Sequence, residues 1–121
     1  MNQMHYYSTN LKSEKVTFAQ ALLRGQAPDK GLYLPETIPM LSMQTILDFT
    51  AKRYDEIAFE VARHYLAGEI EEGELRRITR ESYDYEIPLE QVTARKYVMR
   101  LDQGPTASFK DFAARMMGRL M

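Results

Sequence analysis

Between Ser42 and Tyr85 the sequence keeps to helical periodicity through three successive stretches, which restricts the folds open to it more than any other feature. Ser42 is placed to cap "MQTILDFT". "YDEIAFEVARHYLAG" follows, with Ile57, Ala58, Val61, Ala62 and Tyr65 on one side until Gly68 stops it. "EEGELRRITRESYDY" then sets Leu75, Ile78 and Ser82 on one face and Arg76, Arg77 and Arg80 on the other, with acidic residues at its start, where a helix dipole favours them. An amphipathic helix needs a partner for its apolar stripe, so these segments are predicted to pack on one another.

Around this block the chain is cut into short pieces. "HYYST" is aromatic and rich in strand formers, and a polar loop follows it. Thr17 can cap "FAQALLRG", where Phe18, Ala21 and Leu22 share a face and Gly25 lies where a helix would end. "APDKGLYLPETIP" gives a Pro-Asp-Lys-Gly turn, the apolar "LYL", and prolines that exclude a continuing helix or a central strand. In "IPLEQVTARKYVMRLD", Val92 and the run Tyr97 to Leu101 read as short strands. The predicted order is strand, helix, strand, several helices, two strands and a last helix. This is an α+β fold, a helix-rich domain with a small sheet of short strands.

Charge and composition narrow the function. With 16 basic and 17 acidic side chains the net charge is -1, so no bulk field would hold the chain on nucleic acid or an anionic membrane. The arginines of "RRITR" are surrounded by Glu71, Glu72, Glu74 and Glu81, as on a solvated helix face. Cysteine is absent, which removes disulfides and thiolate chemistry. His5 and His64 are too far apart in sequence to suggest a metal pair, so no metal site is expected. The N-terminus lacks the charged-then-apolar pattern of a signal peptide, and no apolar run is long enough to span a bilayer; a cytoplasmic protein is expected.

The end of the chain, "GPTASFKDFAARMMGRLM", carries the candidate chemistry. Pro105 cannot continue a preceding element, Ser108 is a good N-cap, and Asp111 three residues later can complete a capping box, so a helix is expected to begin here. Phe109, Phe112, Ala113, Met116, Met117 and Leu120 line one face of it. No capping glycine or proline follows Leu120, which suggests a truncated chain whose last helix has lost the sheet it would pack on, with higher mobility expected after Pro105. Lys110 would lie in the first turn of that helix. A lysine acts as a nucleophile only when unprotonated, and a helix start together with apolar neighbours, here Phe109 and Phe112, favours the neutral form. The same helix end could bind a phosphate instead, and Lys110 could equally be a surface residue with Asp111 as its carboxylate partner.

"GPTASFKDFAARMM" resembles the lysine segment of threonine synthases, which are pyridoxal-phosphate enzymes of the tryptophan synthase beta-like fold family. "YYST", "APDKGLYLP" and "IAFEV" resemble the N-terminal domain of the same family, in the same order. The sequence departs from the family's usual leucine-phenylalanine-histidine at Leu101 to Gln103. The resemblance implies an N-terminal domain over residues 1–96 and the start of a pyridoxal-phosphate α/β domain over 97–121. It implies that Lys110 holds pyridoxal 5'-phosphate as a Schiff base and moves protons; Thr106 and Ser108 are further cofactor-binding candidates because hydroxyls near a helix start could reach a phosphate, with capping and turn formation as their other reading. The reaction implied is conversion of O-phospho-L-homoserine and water to L-threonine and phosphate. The family's glycine-rich phosphate loop has no counterpart here, so an inactive fragment that needs the rest of the catalytic domain is expected. Two other readings stay open on the sequence: part of another pyridoxal-phosphate lyase or dehydratase, and a non-catalytic domain that binds a partner through its terminal apolar helix.

Overall fold

A computed structural model describes residues 2–121. Strand β1 (Tyr6–Ser8) pairs antiparallel with β2 (Tyr33–Pro35), bringing Tyr7 opposite Leu34, and Tyr6 also bridges to Val16. Between them runs helix α1 (Phe18–Arg24), where, as the sequence predicts, Thr17 caps by accepting from the Gln20 N–H and Gly25 ends the helix at φ 72°; the Gln20 side chain also accepts from the Thr17 N–H and completes a capping box. The Pro-Asp-Lys-Gly turn closes through the Lys30 N–H on the Ala27 carbonyl at 2.8 Å. Met4, Tyr6, Val16 and Ala21 form a small core here, with Phe18 and Tyr33 against it.

Helices α2 (Met43–Asp48, capped by Ser42), α3 (Tyr54–Tyr65) and α4 (Glu72–Ser82) follow. A second core, Phe59, Leu66 and Leu75, joins α3 to α4. Phe18 packs on both cores, and the Tyr6 hydroxyl donates to the Tyr65 carbonyl at 3.0 Å, so the small sheet and the helices form one body. The α4 face is the expected one, with Leu75, Ile78 and Ser82 buried and Thr79 beside them. The α3 face is not. Asp55, Phe59 and Leu66 are buried, whereas Val61 of the expected stripe is exposed and Ala62 is shared by both patterns. Helix α3 carries apolar residues on two adjoining faces, and the better partner decides between them: the Arg76 guanidinium of α4 lies 3.6 Å from the centre of the Phe59 ring. Asp55 tolerates burial because Arg53 clamps it at 2.9 and 3.0 Å.

Strands β3 (Leu89–Thr93) and β4 (Lys96–Met99) form an antiparallel hairpin with an irregularity at Gln91/Thr93, every residue of which is exposed. The expected domain boundary after residue 96 falls inside this hairpin. Helix α5 (Asp111–Leu120) ends the chain and packs on α4, with Met116 and Leu120 against the second core. Among the described residues the fold has five α-helices and two small antiparallel sheets, the α+β architecture the sequence predicts. No helix among them is long and apolar enough to cross a membrane.

Candidate functional site

The turn before α5 differs from the capping box its sequence suggests. Ser108 does not cap the helix. Asp111 and Phe112 donate their N–H groups to the carbonyls of Ser108 and Phe109, a tight three-residue spacing, before the regular ladder starts from the Lys110 carbonyl. Lys110 therefore sits at the N-cap position with helical φ and ψ of -64° and -19°, one residue before α5 begins. The Ser108 hydroxyl accepts from the Lys110 N–H at 3.3 Å.

Asp111 folds back instead of serving the helix start. Its carboxylate accepts the Thr106 hydroxyl at 2.7 Å and the Thr106 N–H at 3.0 Å, and the residue is only 4% exposed. The Thr106 hydroxyl holds the Asp111 carboxyl below the ordinary range, against the opposing effect of desolvation. Ala107 adopts φ 56°, a left-handed conformation rarely held by a residue with a side chain, and its N–H bonds the Gly104 carbonyl. Gly104 has no room for a side chain, since a Cβ there would stand 2.5 Å from an Asp111 carboxylate oxygen.

Lys110 is exposed on the outside of this turn. The apolar shelter expected for it is not supplied by these residues: Phe109 is 64% exposed, and Phe112 turns the other way. Phe112 packs among Tyr54, Tyr83 and Tyr85 at ring-centre distances of 5.8, 6.0 and 5.5 Å. The Tyr83 hydroxyl donates to the Phe112 carbonyl at 3.0 Å, and burial pushes that phenol up to about 12. Asp111 does not pair with Lys110, because its oxygens are taken by Thr106. Thr106, Ser108 and Lys110 thus share one turn, but both hydroxyls are engaged within it.

Three contributors were not singled out from the sequence: the tyrosine nest, the Thr106–Asp111 clamp, and Arg115. Arg115 donates from α5 to the carbonyls of Glu81 and Ser82 and to Asp84 at 2.6 Å. A signal existed for the nest in the tyrosines of "SYDY", and none for the clamp. The departure at Leu101 to Gln103 also has a structure. Asp102 takes a two-pronged pair from Arg100 at 2.9 and 2.7 Å, Gln103 donates to Asp102, and Arg100 reaches Glu90 across the hairpin. That guanidinium holds the Asp102 carboxyl well below the usual range. No metal-binding cluster of three or more His, Cys, Asp or Glu side chains forms among the described residues.

An amine on a rigid turn, exposed and unengaged by any carboxylate among the described residues, can meet a carbonyl compound from outside the chain. Similar proteins have this same scaffold. Residues 5–83 match the family model described as threonine synthase N terminus. The threonine synthase of Pseudomonas aeruginosa is 37% identical over 98% of this chain and 26% of its own length, and that of Schizosaccharomyces pombe is 36% identical over 98% and 24%. The crystal structure of PLP-bound threonine synthase from Brucella melitensis superposes with a TM-score of 0.93 at 36% identity, covering 98% of this chain and 26% of that one. The Escherichia coli threonine synthase structure gives 0.90 at 26% identity, covering 97% and 27%. The chain spans about a quarter of the length of these relatives.

Proposed function

This chain belongs to the threonine synthase family, and from that premise we propose that it is the N-terminal part of an enzyme converting O-phospho-L-homoserine and water to L-threonine and phosphate. In this reading residues 1–96 form the N-terminal domain and 97–121 begin the catalytic domain, the passage running through the β3–β4 hairpin. The rest of the catalytic domain is the partner the segment needs for activity. The protein works in the cytoplasm.

The observation that carries the reading is the setting of Lys110. A primary amine stands exposed on a turn fixed from both sides, in a chain that follows the PLP-bound Brucella melitensis enzyme over nearly its whole length. Lys110 would hold the cofactor covalently, its amine exposed and without a carboxylate partner among the described residues, and Thr106 and Ser108 would be its neighbours on the same turn. Pyridoxal phosphate, when bound, stores the electrons released from a substrate carbon. Lys110 itself supplies two things. It would anchor the cofactor, and as a free amine it would take and return protons at Nζ.

The test is phosphate release from O-phospho-L-homoserine by the polypeptide that carries this segment, with pyridoxal phosphate, beside its Lys110→Ala variant. Release that is abolished in the variant supports the assignment. A folded, cofactor-loaded protein that releases no phosphate removes it in favour of another pyridoxal-phosphate lyase or dehydratase.

A further inference from the structure

We propose that Asp111 is a positioning residue for Lys110, acting through Thr106: the bonds between their side chains close the loop 104–110 and fix the direction in which the lysine amine leaves the turn. The proposal rests on the functional reading above and adds to it the residue that sets the geometry of its amine. Lys110 is exposed, and among the described residues its side chain makes no hydrogen bond or ion pair, so within them its backbone sets its direction. The Lys110 carbonyl is tied into α5, accepting from the Ala113 and Ala114 N–H groups, but the loop that leads to it has little to hold it besides the clamp. Phe109 on one side is exposed, Ala107 lies in a left-handed conformation that costs energy for alanine, and the bonds of this stretch are short-range turns.

The carboxylate of Asp111 spans the loop from its far end. It takes both the hydroxyl and the N–H of Thr106, at 2.7 and 3.0 Å, while its own N–H closes on the Ser108 carbonyl at 3.0 Å. Gly104 completes the fit, because a side chain there would strike Asp111. Asp111 is also joined through α5 to Arg115 and to Phe112 in the tyrosine nest, so the loop is referenced to the body of the fold. A hydrogen bond to a carboxylate is about twice as strong as one between neutral groups, which suits a clamp on a strained loop. The Thr106 hydroxyl proton is thereby committed to Asp111, which leaves that oxygen acceptor capacity only.

The experiment uses the polypeptide that carries this segment, as wild type and as Asp111→Asn, Thr106→Val and Thr106→Ser. Amide exchange at residues 106–110 is read without cofactor. Capture of pyridoxal phosphate is then trapped with borohydride and located by peptide mass spectrometry. Asparagine offers one acceptor oxygen in place of two, and valine removes the hydroxyl while keeping the shape. Both are expected to lose amide protection in the loop and to slow capture at Lys110 about tenfold or more, because a displacement on the order of 1 Å costs up to ~100-fold in a positioned reaction. Thr106→Ser is expected to restore what Thr106→Val loses. Unchanged protection overturns the clamp, and lost protection with capture at the wild-type rate overturns the positioning role. Should Asp111→Asn fail to fold, the Thr106 pair decides alone. A folded wild type that captures no cofactor at Lys110 overturns the functional reading and this proposal with it. The amide data identify that case, since the variants then still differ from wild type in the loop.

Discussion

Arg115 closes the C-terminal end of α4 from a neighbouring helix, its Nε donating to the Ser82 carbonyl at 2.8 Å. The last carbonyls of a helix have no partner within it, and here the guanidinium also takes the Glu81 carbonyl and the Asp84 carboxylate. Only 21% of the Arg115 side chain is exposed, so water replaces it poorly. Arg115→Ala is expected to weaken the docking of α5 by about 1.5–3 kcal/mol, the range for hydrogen bonds to charged groups. Hydrogen exchange should show faster opening across Asp111–Leu120 while the amides of β1 and β2 stay at their original rates. Equal acceleration in both regions would mean that the arginine supports the whole fold and not this contact.

The partners of such contacts decide what can be read from sequence alone. The Thr17 cap of α1 and the Gly25 stop are legible because every participant lies within a few residues and competes with nothing. The turn at Asp29 and Lys30 is legible for the same reason. Asp111 was legible as an acidic residue at a helix start and illegible as the partner of Thr106, since an aspartate serves a helix N-terminus or a preceding loop equally well. The α3 face shows the same limit at longer range. Periodicity gives Ile57, Ala58, Val61 and Tyr65 a stripe as good as that of Phe59 and Leu66, and only the approach of Arg76 and Leu75 from α4 selects the second. Of the candidate site, the lysine was visible through its motif and its exposure as one of two readings; what the sequence did not show is that Phe112 packs among three tyrosines elsewhere in the chain.

Asp29 should make the β1–β2 region sensitive to acid. Its carboxylate accepts from the Ser8 hydroxyl at 2.5 Å and from the N–H groups of Lys12 and Gly31 at 2.9 and 3.0 Å. These bonds, led by that of Ser8, lower its pKa to about 2, against about 3.9 for an aspartate in an unfolded chain. A group whose pKa is depressed by folding contributes stability that is complete above its unfolded value and disappears as pH falls through its folded value. The contribution should therefore be lost between about pH 4 and about pH 2. Asp29→Asn is expected to be less stable at neutral pH and to show a flatter decline across that window, as measured by melting temperature against pH. Parallel curves for the two proteins would assign the acid sensitivity to other carboxylates, such as Asp102 or Glu81.

Two glycines should respond in opposite directions to the same added methyl group. Gly31 lies against β1, where a Cβ would overlap the Ser8 hydroxyl and stand 2.9 Å from the Asn10 nitrogen. Ser8 is fully buried, and its hydroxyl is already committed to Asp29, so it has nowhere to move without giving up that bond. Overpacking of this kind costs about 1–3 kcal/mol. Gly118 lies within α5 with nothing inside 4 Å of the position its Cβ would take. There alanine removes backbone entropy from the unfolded chain without a clash, and the expected gain is up to about 1 kcal/mol. Urea unfolding of Gly31→Ala, Gly118→Ala and the double variant measures both, and the sites share no contacts, so the effects should add. A Gly31→Ala protein as stable as the parent would show that β1 and the following turn yield by about 1 Å or more, in which case Asp29 would lose its Ser8 partner and the acid response argued above should shrink in the same variant.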